Sequence, residues 1–403
     1  MKALNRKIWR DLWRMRGQVL AVTMVVISGV AFFIMLVSTV DSLSSTRNAF
    51  YAKYRFADVF ATLKRAPESL VGNIRSVPGV DEVETRVSAF VKLEIPGFTE
   101  PVIGKIVSLP EDGEPRLNRL YLRKGRMADP ARDNEVVVNE HFARAHRFGP
   151  GSRFAAIING KRREMTITGV ALSPEFVQIM RPEAATPDFK RYGILWMGRK
   201  ALAKSYDMEG AFNDCVLTVL PDAGLNDVLS GIDAVVKPYG GYGAYARKEQ
   251  MSHRLLNEEF KPLRRSSLIF PAIFICVTAF LLNVVMSRTI GMQREQTAML
   301  KAFGYTPTAI GVHYALLVVL VMAPGLIGGV VLGIWGGKML GNIYMDVYSF
   351  PRLIYTLRPG VIAAAVLFTF LAALAGTVHA VWRGSRERPA DAMRPAAPAR
   401  YRK

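Results

Sequence analysis

Uncharged apolar runs fall in a one-plus-three pattern along this chain, and that spacing limits its fold more than any single motif. Gln18 to Val40, Ser266 to Ser287, Ala309 to Trp335 and Pro359 to Trp382 each hold at least 22 residues without an Asp, Glu, Lys or Arg. About 20 helical residues cross the hydrocarbon core of a bilayer. Backbone polar groups in lipid must be satisfied inside the segment, so an open chain crosses as helix. The pattern therefore predicts an α-helical membrane protein with four transmembrane helices and a large mixed α/β extracytoplasmic domain between helices 1 and 2. The first run is longer than a signal-peptide core and no small-x-small cleavage site follows it, so it is expected to remain.

Basic residues set the expected orientation. Tail 1–17 holds Lys2, Arg6, Lys7, Arg10, Arg14 and Arg16 against Asp11 alone, and tail 383–403 holds seven basic residues against Glu387 and Asp391. Both termini are expected in the cytoplasm. The spans are then 18–40, 266–287, 309–335 and 359–382, with a cytoplasmic loop 288–308, an outer domain 41–265 and an outer loop 336–358. Of the net charge of +20, each tail carries +5 and the outer domain +6. The tail excess follows from topology and from attraction to anionic membrane lipid, so it calls for no nucleic acid. Cys215 lies in the outer domain and Cys276 in the second run, too far apart to pair.

The outer domain reads as α and β. Alternation from Val83 to Ile95 predicts one half-buried strand. Phe154 to Ile158, Asn159-Gly160 and Lys161 to Val170 predict a hairpin with a type I′ turn. Glu135 to Asn139 and Cys215 to Leu220 are further strands; Ser69 to Val77 and Asn139 to His146 are helical. Residues 41–57 and 248–265 are expected to extend the first two spans outward as helical stalks, the second broken near Pro262.

Motifs of catalysis are missing. His141 and His146 are five apart, off a common helical face. There is no H-E-x-x-H, no G-x-S-x-G and no G-x-x-x-x-G-K-[ST]. We expect no catalytic, cofactor or metal site, and no enzymatic activity of the chain's own.

Two features inside the spans point to packing. Gly325, Gly329, Gly333, Gly337 and Gly341 recur every four residues, a smooth stripe where another backbone can approach, either a neighbouring span or a second subunit. Asn283 is expected to make an interhelical hydrogen bond.

The loop after the second run carries the sharpest local signal. Gln293-Arg294-Glu295-Gln296-Thr297-Ala298-Met299-Leu300-Lys301-Ala302-Phe303-Gly304 predicts a short amphipathic helix in which Met292, Met299, Leu300 and Phe303 share a face. Gly304 suits a left-handed stop, Thr306 an N-cap and Pro307 the next helix's first position. Such a helix is either an interfacial anchor or a docking knob joined to two spans.

Residues Arg294 to Gly304 resemble the R-x-E-I-x-x-L-R-A-L-G signature of FtsX/MacB-type ABC transporter permeases. The one-plus-three layout is similar to that family's. Glu135-Val136-Val137-Val138-Asn139-Glu140 and Met165-Thr166-Ile167-Thr168-Gly169-Val170 resemble its extracytoplasmic strands, and Arg388-Pro389-Ala390-Asp391-Ala392-Met393-Arg394-Pro395 resembles its tail. Gln296-Thr297 stands where Ile-Gly is common and Phe303 where Leu is usual; these variants look most like the long permeases that carry two four-span units. The resemblance implies a bacterial inner-membrane, multi-pass permease. It implies an ABC-type ATPase dimer as partner, with ATP and Mg bound by that partner and no cofactor by this chain. It implies a second permease unit, identical or paralogous, membrane lipid around the spans, and a periplasmic adaptor in some members. Gln293, Arg294, Glu295, Met299, Leu300, Lys301, Phe303 and Gly304 then fall on the coupling helix that meets the ATPase. Export or extraction of a lipidic, lipoprotein, peptide or drug substrate is one implied activity. Force transmission to extracytoplasmic partners such as cell-wall hydrolases is the other.

Overall fold

The computed structural model describes residues 2–112, 114–181, 184 and 186–386, with side chains from residue 7 and to residue 378 apart from 376. The Arg388–Pro395 segment lies outside them, as does the His379 side chain. In chain order the elements are α1 (Lys2–Arg14), α2 (Arg16–Lys53), β1 (Val59–Pro67), α3 (Leu70–Arg75), β2 (Val80–Arg86), β3 (Ser88–Glu94), β4 (Val102–Leu109), β5 (Tyr121–Gly125), β6 (Glu135–Asn139), α4 (Glu140–Ala145), β7 (Arg153–Ile158), β8 (Lys161–Leu172), β9 (Tyr192–Gly198), α5 (Arg199–Ser205), β10 (Ala211–Val219), α6 (Leu225–Val236), β11 (Ala244–Ala246), α7 (Met251–Met292), α8 (Arg294–Ala302), α9 (Pro307–Val347) and α10 (Pro359–Arg386). They form two compact units: a helical one of residues 1–43, 261–342 and 355–403, and an α/β one of residues 44–260 and 343–354.

In the helical unit α2, α7 and α9 are each long and apolar enough to cross a bilayer. At 38 to 42 residues they measure about 57–63 Å, roughly twice the hydrocarbon core. The described apolar part of α10 is shorter, Pro359–Ala375. The glycine stripe lies against α2: a Cβ on Gly325, Gly329 or Gly333 would stand 2.6–2.7 Å from side-chain carbons of Val26, Val30 and Ile34, and one on Gly337 would meet the Ser38 hydroxyl. Thr39 Oγ1 donates to the Gly337 carbonyl at 3.4 Å, a cross-helix bond that only close backbones allow.

Three expectations about helices are corrected. α7 runs unbroken through Pro262 and Pro271. Pro262 lies on the exposed face, where water can serve the carbonyl that the missing N–H releases. Residues 336–347 belong to α9 rather than to a loop. Asn283 faces outward and accepts from Ser287 Oγ at 3.4 Å, one turn along its own helix, instead of reaching a neighbour. That turn of α7 packs through Leu282 and Met286, leaving positions 283, 284 and 287 on the opposite face.

The α/β unit holds two sheets. One has the order β11-β1-β10-β2. The other runs β5-β8-β6-β9-β4-β3-β7, and β7 pairs again with β8, so it closes on itself. The hairpin turn has φ 46° at Asn159 and 75° at Gly160, the left-handed pair a type I′ turn demands. The strand expected from Val83 to Ile95 is two strands in different sheets. Burial changes phase at the joint, with Arg86 and Val87 both buried, so the chain turns from one sheet to the other there. The first sheet packs its core under α3 and α6 around Phe212, Leu217, Ile232 and Ile74. The closed sheet fills its interior with Val91, Ile106, Phe142, Phe154 and Leu195.

Arg86 explains the turn. Its guanidinium donates to Asp214 at 2.8 Å and to Glu175 at 2.5 Å, all three buried. Burial alone would lower the Arg86 pKa, but the two carboxylates hold it well above the usual arginine value. Burial would raise Glu175, and Arg86 nonetheless holds it below the ordinary carboxylate range. Asn118 Nδ2 and Gln250 Nε2 complete the cluster, donating to the Glu175 carboxylate and carbonyl at 2.8 Å each.

Candidate functional site

The chain's most distinctive surface feature in the helical unit is α8. α7 stops because Gln293 leaves helical geometry (φ −98°, ψ 14°), and α8 begins at the next residue. It ends at Gly304, whose φ of 91° is left-handed. Thr306 Oγ1 then accepts from the Ala309 amide at 3.3 Å, and Pro307 opens α9. A nine-residue helix is marginal alone and needs a seat.

The seat is polar and buried. Gln293 Oε1 accepts from Lys7 Nζ at 2.6 Å and from the Tyr314 hydroxyl at 3.3 Å. The Tyr314 hydroxyl also meets Thr297 Oγ1 at 3.1 Å, and Lys7 pairs with the buried Asp11 at 2.5 Å. Ala298 is buried beside Thr297. Thus α1, the α7–α8 joint, α8 and α9 meet in one network. The motif that marked α8 contained Gln293 and Thr297 but gave no sign of Lys7, Asp11 or Tyr314. A lone acid among six basic residues was the signal available for Asp11.

The opposite face is open. Phe303 is 82% exposed and Met299 47%, four residues apart on one side of the helix. Glu295 is exposed beside them; Arg294, Gln296, Leu300 and Lys301 are half-buried. Met292 is exposed too but belongs to the last turn of α7, ahead of the break, so the expected four-residue face divides into an outward pair and two flanking residues. Of the predicted set, Gln293 is part of the seat. Gly325, Gly329, Gly333 and Gly337 lie along α2, and Asn283 stands apart from α8 on α7.

A different kind of concavity lies in the α/β unit. It holds about 320 Å³ and is lined by Thr46, Ala49, Phe50, Lys53, Tyr54, Tyr121, Pro351, Arg352 and Ile354. No group of three or more His, Cys, Asp or Glu side chains able to hold a metal occurs among the described residues.

Comparison with known families gives two matches. Residues 19–206 match the MacB-like periplasmic core domain, and residues 268–389 match the FtsX-like permease C-terminal. The second match includes all of α8 and its motif. Among solved structures, the extracellular domain of the noncanonic ABC-type transporter YknZ from Gram-positive bacteria is similar at 9% identity, covering 47% of this chain and 98% of its own, with a TM-score of 0.31. The periplasmic region of MacB from Actinobacillus actinomycetemcomitans is similar at 10% identity, covering 52% and 95%, with a TM-score of 0.31. A domain of a permease protein from Porphyromonas gingivalis is similar at 11% identity, covering 50% and 96%, with a TM-score of 0.28. Curated protein sequences give no match.

Proposed function

This chain belongs to the FtsX/MacB-type ABC transporter permeases, and from that premise we propose that α8 is the point at which a separate ATPase dimer drives it. The observation that carries the proposal is the two-sided build of α8: a buried polar seat below and an exposed Met299–Phe303 pair above. An apolar pair rimmed by charge is the make-up of an interface centre and its edge. Phe303 and Met299 enter the partner's groove; Glu295, Arg294 and Lys301 meet its polar rim. ATP and Mg are held by that partner. The motion enters through Gln293 and Thr297, which tie α8 to α1 and α9.

The remaining parts follow the same reading. α2, α7, α9 and α10 are four transmembrane helices of a bacterial inner-membrane protein with both termini in the cytoplasm. Residues 41–265 work outside, and two such permease units stand over the ATPase dimer. The ATP-driven movement of the outer domain serves export or extraction of a lipidic, lipoprotein, peptide or drug substrate, with a periplasmic adaptor where the route continues outward.

The test is co-purification of the detergent-solubilised chain with its candidate ATPase. Phe303→Asp and Glu295→Arg are expected to abolish association while circular dichroism and melting stay those of the parent, because both side chains are exposed. Retention of the ATPase by both variants would overturn the assignment. ATP-dependent release of labelled lipid or peptide from proteoliposomes then separates transport from force transmission alone.

A further inference from the structure

The groove in the α/β unit has a composition that the coupling role does not use. Thr46, Ala49, Phe50, Lys53 and Tyr54 come from one face of α2 and its end, at the spacing i, i+3, i+4, i+7, i+8. The opposite wall is Tyr121 of β5 with Pro351, Arg352 and Ile354 of the segment after α9. This wall is pinned from three directions. The Ile354 amide donates to Thr46 Oγ1 at 2.9 Å. Arg123 donates to the Pro351 and Phe350 carbonyls at 3.0 and 3.3 Å and is itself held by Glu140 at 3.1 Å. Phe50 stacks edge-on against Phe350 at 6.1 Å, and Tyr54 against Tyr121 at 5.9 Å.

The lining joins three aromatic rings and Ile354 to two cations, and contains no carboxylate. Lys53 and Arg352 are both exposed, and neither makes an ion pair among the described residues. Lys53 Nζ instead lies 5.7 Å from the centre of the Tyr54 ring. Two uncompensated cations over an aromatic floor suit a ligand with an anionic head and an apolar body. The volume falls within the range of small-ligand pockets, about 300–1,000 Å³.

Position selects the source. Thr46 follows Val40, the last residue of the first apolar run, by six residues, which is about 9 Å of helix. The polar headgroup layer adds about 5–8 Å beyond the hydrocarbon core. The near end of the groove therefore opens at the outer edge of that layer. We propose that this groove binds the phosphate headgroup of an anionic membrane phospholipid, with the phosphate between Lys53 and Arg352 and the glycerol and first acyl carbons on Phe50, Tyr54, Tyr121 and Ile354. The site is separate from α8, so it stands or falls without the ATPase; only the choice of lipid over free phosphate rests on the membrane orientation proposed above.

The test uses the full chain in a neutral detergent, with no ATPase present. Dihexanoyl phosphatidylglycerol is titrated by calorimetry against dihexanoyl phosphatidylcholine and inorganic phosphate. Saturable binding of the anionic lipid is expected, weakened about a hundredfold in the double variant Lys53→Glu/Arg352→Glu, since each of the two charge-assisted bonds lost is worth about a decade. Lys92→Glu, which alters an exposed cation on β3, leaves it unchanged. Ala49→Trp fills the groove, keeps both cations and also abolishes binding. Equal affinity for inorganic phosphate overturns the lipid assignment. Absence of saturable binding, or equal loss in Lys92→Glu, overturns the site itself. Failure of the α8 mutations to release the ATPase leaves these outcomes untouched.

Discussion

The two ends of α7 are held by opposite chemistry. At its start, within the α/β unit, the helix is gripped by polar groups along its inner face. Gln250 reaches the Glu175 carbonyl, Ser252 Oγ accepts from the Gln178 amide at 2.8 Å, and His253 meets the Tyr51 hydroxyl at 3.2 Å and Asn257 at 2.7 Å. Arg47 donates to Asn257 at 2.5 Å, bringing in α2. At its finish, within the helical unit, Thr289 Oγ1 reaches Met15 Sδ at 3.4 Å and Gln293 holds Lys7 and Tyr314, but the helix that follows leaves Met299 and Phe303 uncovered. The end inside the α/β unit is satisfied internally; the other leaves an apolar pair open, as the proposed ATPase contact requires.

Breaking the satisfied end should cost most. Arg86→Met leaves Glu175 and Asp214 buried without their cation, and removal of one member of such a group typically costs about 3–5 kcal/mol. Denaturant unfolding of the full chain should show that loss. Converting Glu175 to Gln and Asp214 to Asn in the same variant should restore much of it, because the penalty lies in unpaired charge. No recovery would mean that Arg86 acts through packing alone.

Next comes the helical unit's own framework. Gly329→Leu puts side-chain atoms where Val30 already sits, with even the Cβ at 2.6 Å. Overpacking of this kind costs about 1–3 kcal/mol. A lower melting temperature with retained ATPase binding is expected, since α8 is seated by α1 and the start of α9. Gly360→Leu, with nothing within 4 Å, is the matched control.

These sites differ in how much of them the sequence announces. The spans, the Asn159-Gly160 turn and α8 itself are local patterns: apolar length, a turn dipeptide, a left-handed stop. The glycine stripe showed that a backbone would come close but not whose; the partner α2 is some 300 residues away in sequence, and only the fold brings Val30 to Gly329. The division of the 83–95 strand was hidden for the same reason. Alternation continues through Arg86 unchanged, and the partners that hold Arg86 at the turn come from far along the chain, Asp214 on β10 and Glu175 in the 3-10 turn after β8. The seat of α8 was half legible, as Gln293 and Thr297 lay in the motif while Tyr314 read as one more residue of an apolar run.

The pH dependence sharpens the contrast at the domain end. His253 is pushed from the usual 6.5 to about 4, first by burial and then by the Arg47 and Arg247 cations. Tyr51, Asn257 and Gln250 around it carry no negative charge. The unfolded chain therefore binds a proton that the folded one refuses, so stability falls as pH drops from about 6.5 towards 4 and is flat above. His253→Gln keeps the polar contacts and should remove that part of the slope. A parent chain with no loss across this window would mean that His253 is solvated in the folded state.

The smallest effect is expected at the open end. Tyr314→Phe removes one hydroxyl that bridges Thr297 and Gln293. A hydrogen bond of this kind is worth about 0.5–1.5 kcal/mol net. The fold should survive, and α8 should open more often, so amide exchange at residues 297–302 should quicken by roughly 2–12-fold, the factor that such an energy allows. Exchange at residues 253–257 should not change, because that end is tied to other groups. ATPase affinity should fall by the same factor, since the partner must then pay for ordering a helix it had found in place. Faster exchange with unchanged affinity would mean that the partner binds Met299 and Phe303 without needing the seat. No change in exchange would mean that Lys7 and Gln293 hold α8 without Tyr314.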